Sequence, residues 1–203
     1  MKTYSHFNDH ELITLYLSGD VPAFTALVER YKQKVFTSVL LLVKDRYLAE
    51  DIFQETYIRI LNKLHEDKYA EDGKFLPWAI RIARNICYDH FRKVKRTPYI
   101  VTSDYQYIFD VPGSTAPSAD YKIVKKQTSN EIGEILDMLP EEQKEVIVLR
   151  HYADLSFKEI AVITNCSLNT ALGRMRYGLI NLRKIMSEKQ IALCVVAAIG
   201  QHI

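Results

Sequence analysis

Turn-forming residues are scarce in this chain. Seven glycines and six prolines in 203 residues leave little for the tight connections of a strand-rich protein, so helices are expected. Cysteine is scarcer still. Cys87, Cys166 and Cys194 are odd in number, widely spaced and never in a C-x-x-C pair, which argues against a disulfide framework or a zinc site and fits a reducing compartment. Long apolar runs are missing too. The longest, 191–199, falls well short of the ~20 residues a membrane helix needs, and the opening MKTYSHFNDH lacks the apolar centre of a signal peptide. Neither sign of charge dominates: 27 basic against 25 acidic residues give a formal net charge of +2. Net charge therefore announces no nucleic-acid partner, and a soluble cytoplasmic protein without membrane insertion is expected.

What is present is helical periodicity in two blocks. With 48% hydrophobic and 26% charged residues, the composition is that of an ordinary globular protein, large enough for two small cores. In the first block Asp9 is the expected cap of a short helix that Gly19 stops, and Asp20 the expected cap of a long one. The long helix carries Phe24, Leu27, Val28, Tyr31, Val35, Val39 and Leu42 at steps of three and four, a single stripe of 3.6 period. A third helix over about 47–64 repeats the pattern. After a polar loop, 65–74, a fourth helix runs from Phe75 to about Lys93, with Pro77 in its first turn, where a missing amide hydrogen does no harm.

Periodicity fails between about 97 and 128, where Pro98, Pro112, Gly113 and Pro117 mark a linker. The second block opens with two amphipathic segments, 129–138 and 141–152, divided at Pro140. Ser156 and Glu159 then form a capping box. A short helix to Thr164, a turn at Asn165–Cys166 and a Ser167-capped helix to about Met186 make the outline of a helix-turn-helix. The expected architecture is all-α: two compact helical domains, 1–97 and 129–187, joined by a flexible linker, 98–128, and followed by a tail, 188–203. Nothing in the linker calls for a large apolar interface, so the relative placement of the domains in the free chain is expected not to be fixed.

Three surfaces carry chemistry. From Asn165 to Met186 there is no acid, while Arg174, Arg176, Arg183 and Lys184 are basic, as suits a helix passing between phosphates. Ser167, Asn169 and Thr170 in its first turn are short hydrogen-bonding side chains placed to meet base edges. A solvated basic face on a structural helix competes with this assignment. The fourth helix concentrates Arg81, Arg84, Arg92, Lys93, Lys95 and Arg96 around one acid, Asp89, with Trp78, Tyr88 and Phe91 interleaved. Cations with flat rings grip single strands. Trp78 and Phe91 sit at core spacing, whereas Tyr88 shares a face with Arg81, Asn85 and Arg92 and is expected to be exposed. The third helix is opposite in character: Glu50, Asp51, Gln54 and Glu55 lie away from its apolar stripe, and Asp51 and Glu55, at i and i+4, have no local lysine to neutralise them. These carboxylates suit docking on a basic protein partner. A metal or acid–base pair lacks a third ligand at sensible spacing, and a plain solvated face is the bland alternative.

Several runs resemble the extracytoplasmic-function (ECF) group of the sigma-70 family of RNA polymerase sigma factors. Ala49-Glu50-Asp51-Ile52-Phe53-Gln54-Glu55-Thr56-Tyr57 is similar to the family's region 2.2. Phe75-Leu76-Pro77-Trp78 with Arg81-Ile82-Ala83-Arg84-Asn85 resembles regions 2.3 and 2.4, and 139–150 with 155–161 resembles region 4. The resemblance implies a subunit that binds bacterial core RNA polymerase and directs it to promoters. Asp51, Gln54 and Glu55 would dock on the polymerase clamp helices. The fourth helix would meet the −10 element as it melts, with Asn85 and Asp89 at the base-reading positions. The loop 65–74 would hold a flipped base of the melted non-template strand, and the helix after Ser167 would read the −35 element as duplex. The resemblance also implies that an anti-sigma factor is a plausible partner, although no residue reveals one. Asn165, Ser167, Asn169 and Leu172 depart from the family's usual glycine, proline, glycine and basic residue, which obscures the −35 preference.

No motif calls for nucleotide, metal or a nucleophile, so no cofactor and no catalysis are expected. Two other classes compete: a self-sufficient helix-turn-helix regulator acting on duplex DNA without polymerase, and a nuclease using Asp51 and Glu55. A sigma-like decoy that binds polymerase alone is a third.

Overall fold

A computed structural model describes residues 4–66, 74–96 and 132–188. Among these there is helix and turn but no strand. The interior of the loop 65–74, the linker and the tail lie outside the described residues. After a short 3-10 turn, Tyr4–His6, the first block contains α1 (Asp9–Leu17), α2 (Val21–Val43), α3 (Arg46–His65) and α4 (Phe75–Arg96). The second contains α5 (described over 132–137), α6 (Glu141–His151), α7 (Phe157–Ile163) and α8 (Leu168–Glu188). No helix among them is long and apolar enough to cross a membrane.

The caps explain the boundaries. Asn8, not Asp9, caps α1: its side chain accepts from the Glu11 amide at 2.9 Å, and its own amide donates to Glu11 at 2.7 Å. Asp9 is thereby released to accept from Tyr31 (2.7 Å) and Arg30 (2.7 Å) on α2. Gly19, at φ +104°, allows the sharp turn that an L side chain would strain. Asp20 stands at the cap of α2 without making a side-chain cap bond; its carboxylate accepts from the Tyr4 hydroxyl instead. Asp45 caps α3 through the Leu48 amide, and Ser156 and Glu159 form the full capping box of α7.

α2 is the central strut, touching α1, α3, α4 and, from the second block, α6. Leu12, Leu27, Phe36, Leu40, Ile60, Phe75 and Ile80 fill the first core. The sequence stripe understates α2: residues 35–41 are buried on every side, as for a helix enclosed all round. In the second block α8 packs on α6 and α7, with Ile135, Leu136, Ile147, Leu149 and Ile160 buried between them.

Two glycines on α8 differ in surroundings. A Cβ at Gly178 would come within 3.0 Å of the Ile147 side chain and 3.3 Å of Gln143, while at Gly173 nothing lies within 4 Å. Gly173→Ala is therefore expected to raise stability by about 0.5–1 kcal/mol through helix propensity. Gly178→Val should lower it by about 1–3 kcal/mol through overpacking. Thermal unfolding of the two variants checks this, and the reverse order would contradict the packing described.

In this structure the two blocks are in contact. Lys34 pairs with Asp154 (3.2 Å), Lys44 with Asp137 (2.9 Å), Lys74 with Glu159 (2.7 Å) and Arg84 with Glu145 (2.6 Å). These ion pairs leave no hydrophobic mark in the sequence.

Candidate nucleic-acid and polymerase interfaces

The α3 surface is built as expected in one respect and corrected in another. Ala49, Ile52, Thr56 and Ile60 turn inward, which leaves Asp51, Gln54 and Glu55 exposed side by side. Glu55 is not without a local cation, however: Arg59, one turn on, pairs with it. Glu50 pairs likewise with Arg46 at 2.8 Å. In Glu55–Arg59 the arginine follows the glutamate by four residues, the favourable helix order, but that pair is exposed and worth little. Arg46–Glu50 has the reverse order and is half-buried. Among the described residues no cluster of three or more His, Cys, Asp and Glu side chains could hold a metal ion.

On α4 the inward positions are Ala79, Ile82, Ala83, Ile86 and Cys87. Burial pushes the Cys87 thiol up to about 12, so it is an inert core residue. Arg81, Asn85, Asp89 and Arg92 are exposed. Arg92 lies 3.2 Å from Asp89, and this pair lessens the local effect of the helix's one acid on approaching phosphates. The other edge of the same face carries Arg84 and Tyr88, and it is covered. The Arg84 guanidinium lies 4.3 Å above the Tyr88 ring and donates to both Glu145 oxygens, at 2.6 and 3.1 Å. The Tyr88 hydroxyl donates to Glu145 at 3.2 Å. Burial, with Glu145 adding to it, raises the Tyr88 phenol well above its ordinary value. Tyr88 is therefore half-buried rather than exposed, because α6 of the second block caps that edge.

The helix-turn-helix is present as α7, a turn and α8. Asn165 takes the left-handed conformation at φ 52°, which asparagine tolerates better than most residues. Ser167 accepts from the Thr170 amide at 3.0 Å, and the two hydroxyls are 2.8 Å apart. Both side chains are thus partly engaged in capping, while Asn169 stands exposed between them. Arg176 is exposed; Arg174 is half-buried and held to Glu142 of α6 at 3.0 Å. Leu172 is exposed, one turn from the exposed Leu168.

Sequence patterning misses the buried charges of α6. Lys144 and Glu145 are 5% and 3% exposed, and Lys144 lies 2.5 Å from Asp137. Their one signal is position: they directly precede the apolar run Val146-Ile147-Val148-Leu149 on a helix packed from more than one direction.

Comparison with known proteins supplies the family. The chain matches the sigma-70 region 2 model over residues 27–97 and the sigma-70 region 4 model over residues 129–172. It is 32% identical to the ECF RNA polymerase sigma factor SigW of Bacillus subtilis, over 84% of this chain and 92% of that protein. It is 26% identical to the RNA polymerase sigma-H factor of Pseudomonas aeruginosa, over 82% and 88%. Among solved structures, it resembles the sigma factor RpoE in complex with the anti-sigma factor NepR from Bartonella quintana. There the TM-score is 0.63 at 20% identity, with 81% of this chain and 96% of that chain covered. The two family models thus match parts of both blocks, in family order. The chain belongs to the ECF group of the sigma-70 family of RNA polymerase sigma factors.

Proposed function

We propose that α3, α4 and α8 divide the work of this non-enzymatic initiation factor among core polymerase, the −10 element and the −35 element. Asp51, Gln54 and Glu55 dock on a basic surface of core polymerase. Arg81, Arg84 and Arg92 hold backbone phosphates of the −10 segment, Tyr88 offers a stacking face, and Asn85 and Asp89 read bases. Ser167, Asn169, Thr170, Arg174 and Arg176 meet the −35 duplex in the major groove. The observation that supports this division is the opposite charge of the exposed faces of α3 and α4 within one small domain. One face suits a basic protein and the other an anionic strand, so both can be engaged at once.

Promoter opening then draws on binding energy alone. Each unstacked base costs on the order of a few kcal/mol, and stacking on aromatic side chains returns roughly 1–3 kcal/mol per base. The factor acts in the cytoplasm, where its polymerase is, and an anti-sigma protein is a plausible regulator. The sigma factor RpoE, whose fold this chain shares, was solved with the anti-sigma factor NepR, and CnrH, also of this fold, with the cytosolic domain of CnrY.

The test is co-elution with bacterial core polymerase on a sizing column under competition from the housekeeping sigma factor. The wild-type chain should co-elute stoichiometrically. Asp51→Lys with Glu55→Lys should weaken this by at least tenfold, because reversing charges at a complementary interface costs several kcal/mol. Failure to bind core, with activity on duplex DNA alone, would make the protein a free-standing helix-turn-helix regulator.

A further inference from the structure

Every ion pair given above between the blocks has its cation in the first and its anion in the second: Lys34, Lys44, Lys74 and Arg84 against Asp154, Asp137, Glu159 and Glu145. The most buried of the four pairs is Arg84–Glu145, with side chains 17% and 3% exposed. We infer that Glu145 is an internal competitor for promoter DNA, a carboxylate that occupies Arg84 and Tyr88 in the free chain and must withdraw before they can hold the −10 strand.

The chemistry of Arg84 carries the inference. A guanidinium fork accepts a carboxylate or a phosphate in the same two-pronged geometry, so one Arg84 serves Glu145 or the DNA backbone but not both. The Tyr88 ring has one face against the Arg84 guanidinium and its hydroxyl on Glu145, so the stacking platform is engaged together with the cation. Arg81, Asn85, Asp89 and Arg92 remain exposed on the same helix, so the closed chain keeps a partial −10 surface of low affinity. The three outer pairs bring the blocks together, and being more exposed they are weakened by salt. Buried and bidentate, Arg84–Glu145 sets the register. Assembly that separates the blocks would release it, coupling polymerase binding to DNA competence.

This inference rests on the −10 assignment of α4, and the experiment separates the two. Full-length wild type, Glu145→Gln and Asp154→Asn are compared by small-angle scattering and by anisotropy titration of a fluorescein-labelled oligothymidylate, with circular dichroism to verify folding. Glu145→Gln should enlarge the radius of gyration and tighten oligonucleotide binding by roughly tenfold, the gain expected if about one tenth of the wild type is open. Asp154→Asn, which loosens an outer pair only, should give a gain of about twofold or less. Binding normally weakens as salt rises. Because salt also opens the latch, wild type should weaken less steeply than Glu145→Gln, and its own radius should grow with salt even if the variant misfolds. An unchanged radius in Glu145→Gln and in salt overturns the latch. Expansion with no gain in affinity overturns the competition for DNA. If neither protein binds the oligonucleotide, the competition and the −10 assignment both fall, while core co-elution judges the sigma function independently.

Discussion

Replacing Arg81, Arg84 and Arg92 together with alanine should abolish promoter melting by the holoenzyme while leaving co-elution with core polymerase unchanged. All three side chains lie on one face of α4, whereas Asp51 and Glu55, proposed to dock on polymerase, are exposed on α3. Each lost phosphate contact on a single strand removes about 0.7 from the slope of log affinity against log salt, so the triple variant should lose about 2. The slope distinguishes a direct role from a structural one, since a misfolded α4 would lower affinity without a defined change of slope. Permanganate footprinting of a promoter bubble reads the melting itself. Normal melting by the triple variant would remove α4 from the −10 interface.

Asp137→Ala should destabilise the second block by roughly 2–4 kcal/mol, far more than an exposed carboxylate would. Asp137 lies between two cations, 2.5 Å from Lys144 and 2.9 Å from Lys44. Removing it leaves the buried Lys144 ammonium facing another positive charge. The deficit should also depend on pH in a defined direction. Burial holds the Lys144 amine below its ordinary value, opposed by Asp137, which raises it. A depressed lysine means that the unfolded state binds more protons, so its burden on stability is full below the folded pKa. The burden is relieved as pH rises toward the unfolded value of about 10.4. Without Asp137 the depression deepens and relief starts at lower pH. The gap between variant and wild type should therefore shrink from about pH 7 to about pH 9.5 in chemical denaturation. A gap that stays flat or widens would show that Asp137 acts by something other than its charge on Lys144.

These two outcomes draw on different levels of legibility. Arg81, Asn85, Asp89 and Arg92 could be placed from the sequence because a 3.6-residue period and a local concentration of bases define a helical face without tertiary information. The Ser156–Glu159 box was legible for the same reason: both halves lie within four residues. The shift of the α1 cap from Asp9 to Asn8 is a single-residue choice between two good capping types, settled by Asp9 having partners on α2. Arg59 is legible beside Glu55, since it lies one helical turn away and carries the opposite charge. Tyr88 could not have been placed correctly, since its burial is imposed by Glu145, 57 residues on. Lys144 and Glu145 are the clearest case. Charged residues on an amphipathic helix are assigned to solvent unless paired, and their partners come from other elements, Asp137 and Arg84.

The enclosure of α2 has a consequence for the lifetime of the unassembled protein. Residues 35–41 are covered on every side, and α6 is among the helices that touch α2. A chain that opens away from polymerase strips that cover from an apolar helix and presents a surface prone to aggregation. Where opening and closing are fast, proteolysis follows the population of the open form. The contact that withholds the factor from DNA thus also protects it from degradation, and a chain that opens without polymerase to receive it is the one most readily destroyed.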